Sequence, residues 1–219
     1  MAMDPISIIL IDDHAVVREG YRRLLEGDSH LHVLAEGDNG NEGYRVICEY
    51  QPDVVVMDIT LPGMSGIEVT RRVISRFPDQ KILIFSMHED MVFVNRAFQA
   101  GAKGYVTKSA APEALVDAVR QVALGKLYLS EEMAQLIATQ TVSDSEKGID
   151  LLSSREFEIF RLLVQGHSIN EISQALHISY KTVANYQSTI RQKLGVTSAA
   201  QIVRIALDHG IISSIDKSL

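Results

Sequence analysis

Residues 54–63 read Val-Val-Val-Met-Asp-Ile-Thr-Leu-Pro-Gly: four apolar residues that stop at a carboxylate, Asp58, and run into a turn. A short run that is apolar on both faces is the pattern of a strand covered by helices on either side. The same grammar recurs three times along the chain. Ile6 to Ile11 stops at Asp12-Asp13, Ile82 to Phe85 stops at Ser86, and Tyr105-Val106 leads to Lys108. In an open parallel sheet the carboxyl ends of the strands share one edge, and ligands collect in the crevice there. Three carboxylates, a hydroxyl and an ammonium far apart in sequence would converge at that edge. Crowded carboxylates repel one another unless a cation neutralises them. Mg²⁺ takes a few carboxylate oxygens together with water and phosphate oxygens, so the set suits Mg²⁺ and a phosphoryl group.

Strand candidates at 6–11, 31–36, 53–57, 81–85 and 104–107 alternate with helical patterns. Val17, Tyr21, Leu24 and Leu25 fall on one helical face, and a last helix begins near Pro112 with Leu115, Val119 and Val122 inward. Five βα units predict an α/β domain over residues 6–125, a doubly wound five-stranded parallel sheet. Residues 126–148 change character: a short helix fits 131–138, and Thr139 to Gly148 is polar and aperiodic, as in a linker. From residue 149 to 219 the strand signals vanish, and an all-α, four-helix domain is expected. Ser153 with Glu156 and Ser168 with Glu171 form capping boxes, while Leu152 and Phe157 sit at the positions of a hydrophobic staple. Ser179 can cap a third helix, and a fourth carries Ala199, Ile202, Val203, Ala206 and Leu207 on one face. The tight connection Leu176-His177-Ile178-Ser179 between two helices is the layout of a helix-turn-helix.

A hydrophobic fraction of 46% provides an ordinary globular core. No apolar run approaches a membrane span, and the first residues lack a basic-then-apolar leader. The single cysteine, Cys48, cannot close an intrachain disulfide, which fits a reducing cytoplasm. The seven histidines show no zinc spacing. The net charge of −7 is uneven: residues 1–125 hold 12 Lys+Arg against 18 Asp+Glu, and residues 148–219 hold 7 against 6. Different partners for the two parts follow.

The segments IDDH, VVVMDITLPGMSG, ILIFS and AGAKGYVTKS resemble the receiver domain of two-component response regulators. The resemblance implies Asp58 as phosphoacceptor. Asp13 would hold Mg²⁺ (or Mn²⁺) directly, Asp12 through water, and Thr60 through its main-chain carbonyl, with Asp58 completing the metal set. It further implies that Ser86 and Lys108 bind the phosphoryl group and that Tyr105 rotates as Ser86 is drawn inward. Thr60 and His88 would flank the attacking water, giving His88 influence over the phosphoryl half-life. Many receivers carry proline after the lysine; here the residue is Ser109, which makes a cis bond there costlier.

The segment from Leu151 to Val196 resembles the LuxR-type domain of NarL/FixJ regulators. The third helix, about Tyr180 to Leu194, would then enter the major groove. Val183, Ile190 and Leu194 should face the core, with Lys181, Ala184, Asn185, Ser188 and Arg191 opposite. Alignment with the family motif makes Ala184, Asn185 and Ser188 base-reading candidates, since Asn can read adenine and Ala a thymine methyl. Lys181, Thr182, Arg191 and Lys193 would hold phosphates. Three cations per subunit of a dimer neutralise about six phosphates, for a salt slope of roughly −5.

The resulting expectation is a transcription regulator rather than an enzyme, catalysing only its own phosphotransfer and autodephosphorylation. Its partners would be a sensor histidine kinase, double-stranded DNA, a second copy when active, and RNA polymerase, with no membrane. Two rival readings fit parts of this pattern. A phosphatase of the haloacid dehalogenase type also uses an Asp nucleophile, Mg²⁺ and Lys, but Asp12-Asp13-His14 does not supply its DxDx(T/V) arrangement. A constitutive DNA binder with a vestigial receiver is the other.

Overall fold

The computed structural model describes residues 5–130, 133–134, 149–208 and 211. The chain divides into two compact units, residues 1–139 and 140–219.

The first unit alternates β1 (Ile6–Ile11), α1 (Ala15–Glu26), β2 (Leu31–Gly37), α2 (Gly40–Tyr50), β3 (Val54–Met57), α3 (Gly66–Arg76), β4 (Lys81–Ser86), α4 (Met91–Gln99), β5 (Gly104–Thr107) and α5 (Pro112–Ala123). With a short β6 (Tyr128–Leu129), the sheet order is β2-β1-β3-β4-β5-β6, every pairing parallel. The apolar runs of β1, β3 and β4 are buried as their two-sided pattern requires. One face of the sheet packs Ile8, Leu10, Val54, Val56, Leu83, Phe85 and Val106 with residues of α1 and α5, including Leu25, Leu115, Val119 and Val122.

The sixth strand differs from the expected five. β6 (Tyr128–Leu129) lies in the stretch read from sequence as linker, and it pairs with β5 through Gly104↔Tyr128 and Tyr105↔Leu129. Two half-buried residues are too short for period-2 alternation to register. The expected helix at 131–138 and the polar linker at 139–148 fall outside the described residues, except that Met133 and Ala134 are helical.

Register brings the functional strand ends level. Ile11 lies opposite Met57, so Asp12 and Asp58 follow side by side, and the Asp58 amide donates to the Ile11 carbonyl at 2.9 Å. Ser86 lies opposite Thr107, and the Lys108 amide donates to Ser86 O at 2.8 Å. The strand order reverses between β1 and β3, the place where such sheets open a crevice.

The second unit begins with a 3₁₀ turn, Ile149–Leu151, followed by α6 (Ser154–Val164), α7 (Ile169–Ala175), α8 (Tyr180–Leu194) and α9 (Ala199–Asp208). Both expected capping boxes form, at Ser153–Glu156 and Ser168–Glu171. Leu152, Phe157, Ile172, Val183 and Ile190 are buried, while Leu194 is half-buried. His177 turns the chain between α7 and α8 with φ 50°, a left-handed conformation that sharpens the corner.

Close packing beneath the acidic edge yields a first prediction. At Gly66, the first residue of α3, an added Cβ would overlap the Asp58 carbonyl oxygen and press on Met57. Gly66→Ala should destabilise the first unit by about 1–3 kcal/mol, the range for overpacked sites. Urea unfolding would measure it, and an unchanged midpoint would show that the helix start yields without strain.

Candidate phosphoryl site and nucleic-acid interface

Lys108 ties the acidic edge together. Its Nζ donates to Asp12 Oδ2 and to Asp58 Oδ2, each at 2.6 Å, and all three side chains are nearly inaccessible. Burial raises the Asp58 carboxyl above its ordinary value, with Lys108 opposing the rise. Burial likewise works to lower the Lys108 ammonium, but Asp58 and Asp12 outweigh it and raise the group. The ammonium is therefore fully charged at neutral pH.

Asp12, Asp13, His14 and Asp58 each place one ligand atom within 4.8 Å of the others. Asp13 Oδ1 is buried, and among the described residues no donor meets it with hydrogen-bond geometry, although His14 Nδ1 lies 2.7 Å away. A buried carboxylate oxygen without a donor, beside two further carboxylates sharing one ammonium, fits a hard divalent cation. His14 was missed in the sequence reading, although it directly follows the acidic pair.

Next to the acceptor, the Thr60 amide donates to Asp58 Oδ1 at 3.3 Å. Thr60 Oγ1 hydrogen-bonds His88 Nε2 at 3.0 Å, and the His88 ring stacks on Phe93 of α4 with centroids 4.0 Å apart and planes 7° from parallel. Ser86 is fully buried, and its Oγ accepts from the His88 amide at 3.3 Å. Tyr105 is itself fully buried and donates its hydroxyl to the His88 carbonyl at 2.7 Å. Burial pushes its phenol up, so it serves as a neutral donor. Tyr105 thus lies inward, its hydroxyl held by a main-chain carbonyl of another loop. The peptide after Lys108 is trans, and Ser109 Oγ donates to Glu89 at 2.7 Å, linking the loops after β5 and β4.

In the second unit α8 is capped by Ser179, which accepts the Thr182 amide at 3.1 Å. Lys181, Asn185 and Ser188 are exposed, and Thr182, Ala184 and Arg191 are half-buried. Lys193 is committed elsewhere: its Nζ lies 2.6 Å from Glu156 Oε2, the carboxylate of the α6 capping box. The sequence reading gave this ammonium to DNA phosphate, whereas here it braces α8 against α6. No helix among the described residues is long and apolar enough to cross a membrane.

Residues 8–120 match the response regulator receiver domain, and residues 150–206 match the luxR family of bacterial regulatory proteins. The transcriptional regulatory protein DegU of Brevibacillus brevis is 36% identical over 222 residues, covering 94% of each chain. The response regulator GacA of Pseudomonas aeruginosa is 36% identical over 211 residues, 95% of this chain and 99% of its own. A crystal structure of a LuxR-family two-component response regulator from Aurantimonas sp. SI85-9A1 is 47% identical, with a TM-score of 0.60 over 62% of this chain and 96% of that one. The chain belongs to the two-component response regulators of the NarL/FixJ type. It is a DNA-binding regulator of transcription, not a classical enzyme, and phosphorylation is its family's general switch.

Glu156 yields a pH prediction. Burial works to raise its carboxyl, but hydrogen bonds from Lys193 and the Ser153 main chain outweigh it and hold the group below its ordinary value. A carboxyl lowered on folding adds stability above its unfolded pKa, and that stability is lost as pH falls through the folded value. Lys193→Met should cost the second unit about 1 kcal/mol at pH 7 and flatten its stability profile below pH 4.5, the group's ordinary value. Denaturant unfolding of that unit at several pH values tests this; parallel profiles would mean the ion pair is inert.

Proposed function

We propose that Asp58 accepts a phosphoryl group from the phosphohistidine of a sensor histidine kinase and so stores the signal that controls DNA binding. The observation that carries this reading is the buried Asp12–Lys108–Asp58 bridge at the sheet edge, 2.6 Å on each side. The Asp58 carboxylate attacks phosphorus in line, the P–N bond to the kinase histidine breaks, and a mixed anhydride forms. Mg²⁺ (or Mn²⁺), held by Asp12, Asp13, Asp58 and the Thr60 main-chain carbonyl, would supply neutralisation of the charge on the equatorial phosphoryl oxygens. Lys108 exchanges Asp58 Oδ2 for one phosphoryl oxygen, and the Ser86 hydroxyl turns to another. Small phosphodonors can replace the kinase in vitro, and water later hydrolyses the anhydride.

Because Tyr105 is already inward, the switch lies in the exchange of partners around Ser86 and His88 rather than in rotation of the Tyr105 ring. The second unit inserts α8 into the major groove, with Ala184, Asn185 and Ser188 reading bases and Lys181, Thr182 and Arg191 on phosphates. It acts as a homodimer in the cytoplasm and engages RNA polymerase at its promoters. Residues 6–125 serve as the phosphoacceptor domain, 126–148 as the connection, and 149–219 as the DNA reader.

A DNA-selection assay with and without beryllofluoride tests the acidic site, the DNA site and their coupling together. Selection should sharpen with the mimic in wild type and remain unchanged in Asp58→Asn; equal affinity in all four samples would leave a constitutive binder with an idle receiver. The salt slope separates the cations. Two free cations per subunit give about four phosphates per dimer and a slope near −3.6, and Lys181→Ala should reduce it by about 2. Lys193→Ala should leave the slope unaltered; a drop equal to that of Lys181→Ala would return Lys193 to the DNA. For His88, opening its contact with Thr60 exposes the acceptor to water, so His88→Ala should shorten the phosphoryl half-life. A wild-type decay rate would remove His88 from hydrolytic control.

A further inference from the structure

Asp12 is held at every polar atom. Its amide donates to Gly37 O at 3.1 Å, Oδ1 accepts from the His14 amide at 2.8 Å, and Oδ2 accepts from Lys108 at 2.6 Å. The remaining atom, its carbonyl oxygen, accepts from Arg18 Nη1 at 2.6 Å. Arg18 sits in the first turns of α1, and its Nε donates to Glu36 Oε2 at 2.8 Å, with the Arg22 guanidinium 3.3 Å from the other Glu36 oxygen. Glu36 lies on β2 in register with Leu10, two residues before Asp12 on the neighbouring strand. The Arg18 side chain is only 17% exposed.

We infer that Arg18 is a positioning residue of the metal site, acting through the Asp12 main chain; this rests on Asp12 being part of that site. A guanidinium presents its donors in a rigid fork, so one side chain can grip Glu36 with Nε and the Asp12 carbonyl with Nη1. With the peptide plane after Asp12 fixed from one side and His14 drawn onto Oδ1 from the other, the carboxylate has one aim before any ion arrives. Partners that orient metal ligands typically control affinity by about 10–100-fold. Charge predicts the opposite sign. Arg18 is a cation near an acidic cluster, so its removal by electrostatics alone would strengthen cation binding.

That opposition supplies the test. The full-length protein, labelled with ¹⁵N, is titrated with MgCl₂ while the His14 amide resonance reports on Asp12. Arg18→Met and the charge-balanced Arg18→Met/Glu36→Gln should both raise the half-saturating Mg²⁺ concentration by about tenfold, and both should shift the His14 amide before Mg²⁺ is added. Tighter Mg²⁺ binding by Arg18→Met, with the double variant back at the wild-type value, would overturn the inference in favour of simple charge. A lowered thermal midpoint with unchanged half-saturation would overturn it in favour of a brace for the fold. Should Arg18→Met fail to fold, Arg18→Lys carries the test, because an ammonium lacks the fork and should still weaken Mg²⁺ binding. Absence of any saturable shift in wild type would overturn the metal reading itself, a result distinct from failure of Arg18 alone.

Discussion

Two buried carboxylates sharing one ammonium is the constraint on which the receiver's acidic edge depends. At 2.6 Å and an effective dielectric near 20, each Lys108–carboxylate contact is worth on the order of 6 kcal/mol before desolvation. Desolvation of three ions takes back several kcal/mol apiece. The bridge is therefore close to balanced rather than strongly stabilising, and its loss would leave two uncompensated charges in a buried site. A near-balance is what a switch needs. A newly arrived dianionic phosphoryl group can draw Lys108 from one oxygen to another without first overcoming a deep well.

The sheet makes that bridge possible. Parallel pairing of β1 with β3 sets Asp12 beside Asp58, and the pairing of β4 with β5 carries Lys108 to the same edge. Around it, contacts radiate through three elements. Thr60 joins the acceptor loop to His88, His88 joins Phe93 of α4 by stacking, and Tyr105 returns to the His88 main chain from β5. In the proposed mechanism His88 is thus the node where a change at Asp58 meets the packing of α4. Ser109, standing where many receivers have proline, adds a side-chain link from the Lys108 loop to Glu89 in the same segment as His88.

How much of this was legible in the sequence follows from the range of each signal. Four apolar runs ended by Asp58, Asp12, Ser86 and Lys108 announced the sheet edge, because burial on both faces leaves a mark on every residue of a strand. The capping boxes were equally plain, since Ser153 and Glu156, or Ser168 and Glu171, are three residues apart and serve one local geometry. What failed to show depends on distant partners. Nothing near Lys193 names Glu156, 37 residues earlier, so sequence alone offers this ammonium of α8 to phosphate. The sequence implies rotation of Tyr105, but its rotamer depends on a main-chain carbonyl in another loop. β6 was invisible because a two-residue strand has no period. Arg18 resembled any helix-surface arginine until Glu36 and the Asp12 carbonyl appeared beside it.

The two ends of the chain solve the same electrostatic problem in opposite ways. At the receiver edge, charge is concentrated and buried, so that one covalent event, replacing a carboxylate by a dianionic acyl phosphate, changes the local balance by about one unit. Along α8, charge is sparse: Lys193 is taken by Glu156, and in the proposed mode of binding only Lys181 and Arg191 of this helix meet phosphate. Weak electrostatic attraction by one subunit keeps non-specific binding low, since that term scales with the number of neutralised phosphates. In the proposed dimer, affinity then comes from pairing two readers. Driving an equilibrium between inactive and active forms from 1:99 to 99:1 takes about 5.5 kcal/mol of differential stabilisation. A reader that is poor alone and adequate in pairs lowers that demand, because the switch has only to favour assembly and the second helix multiplies the effect.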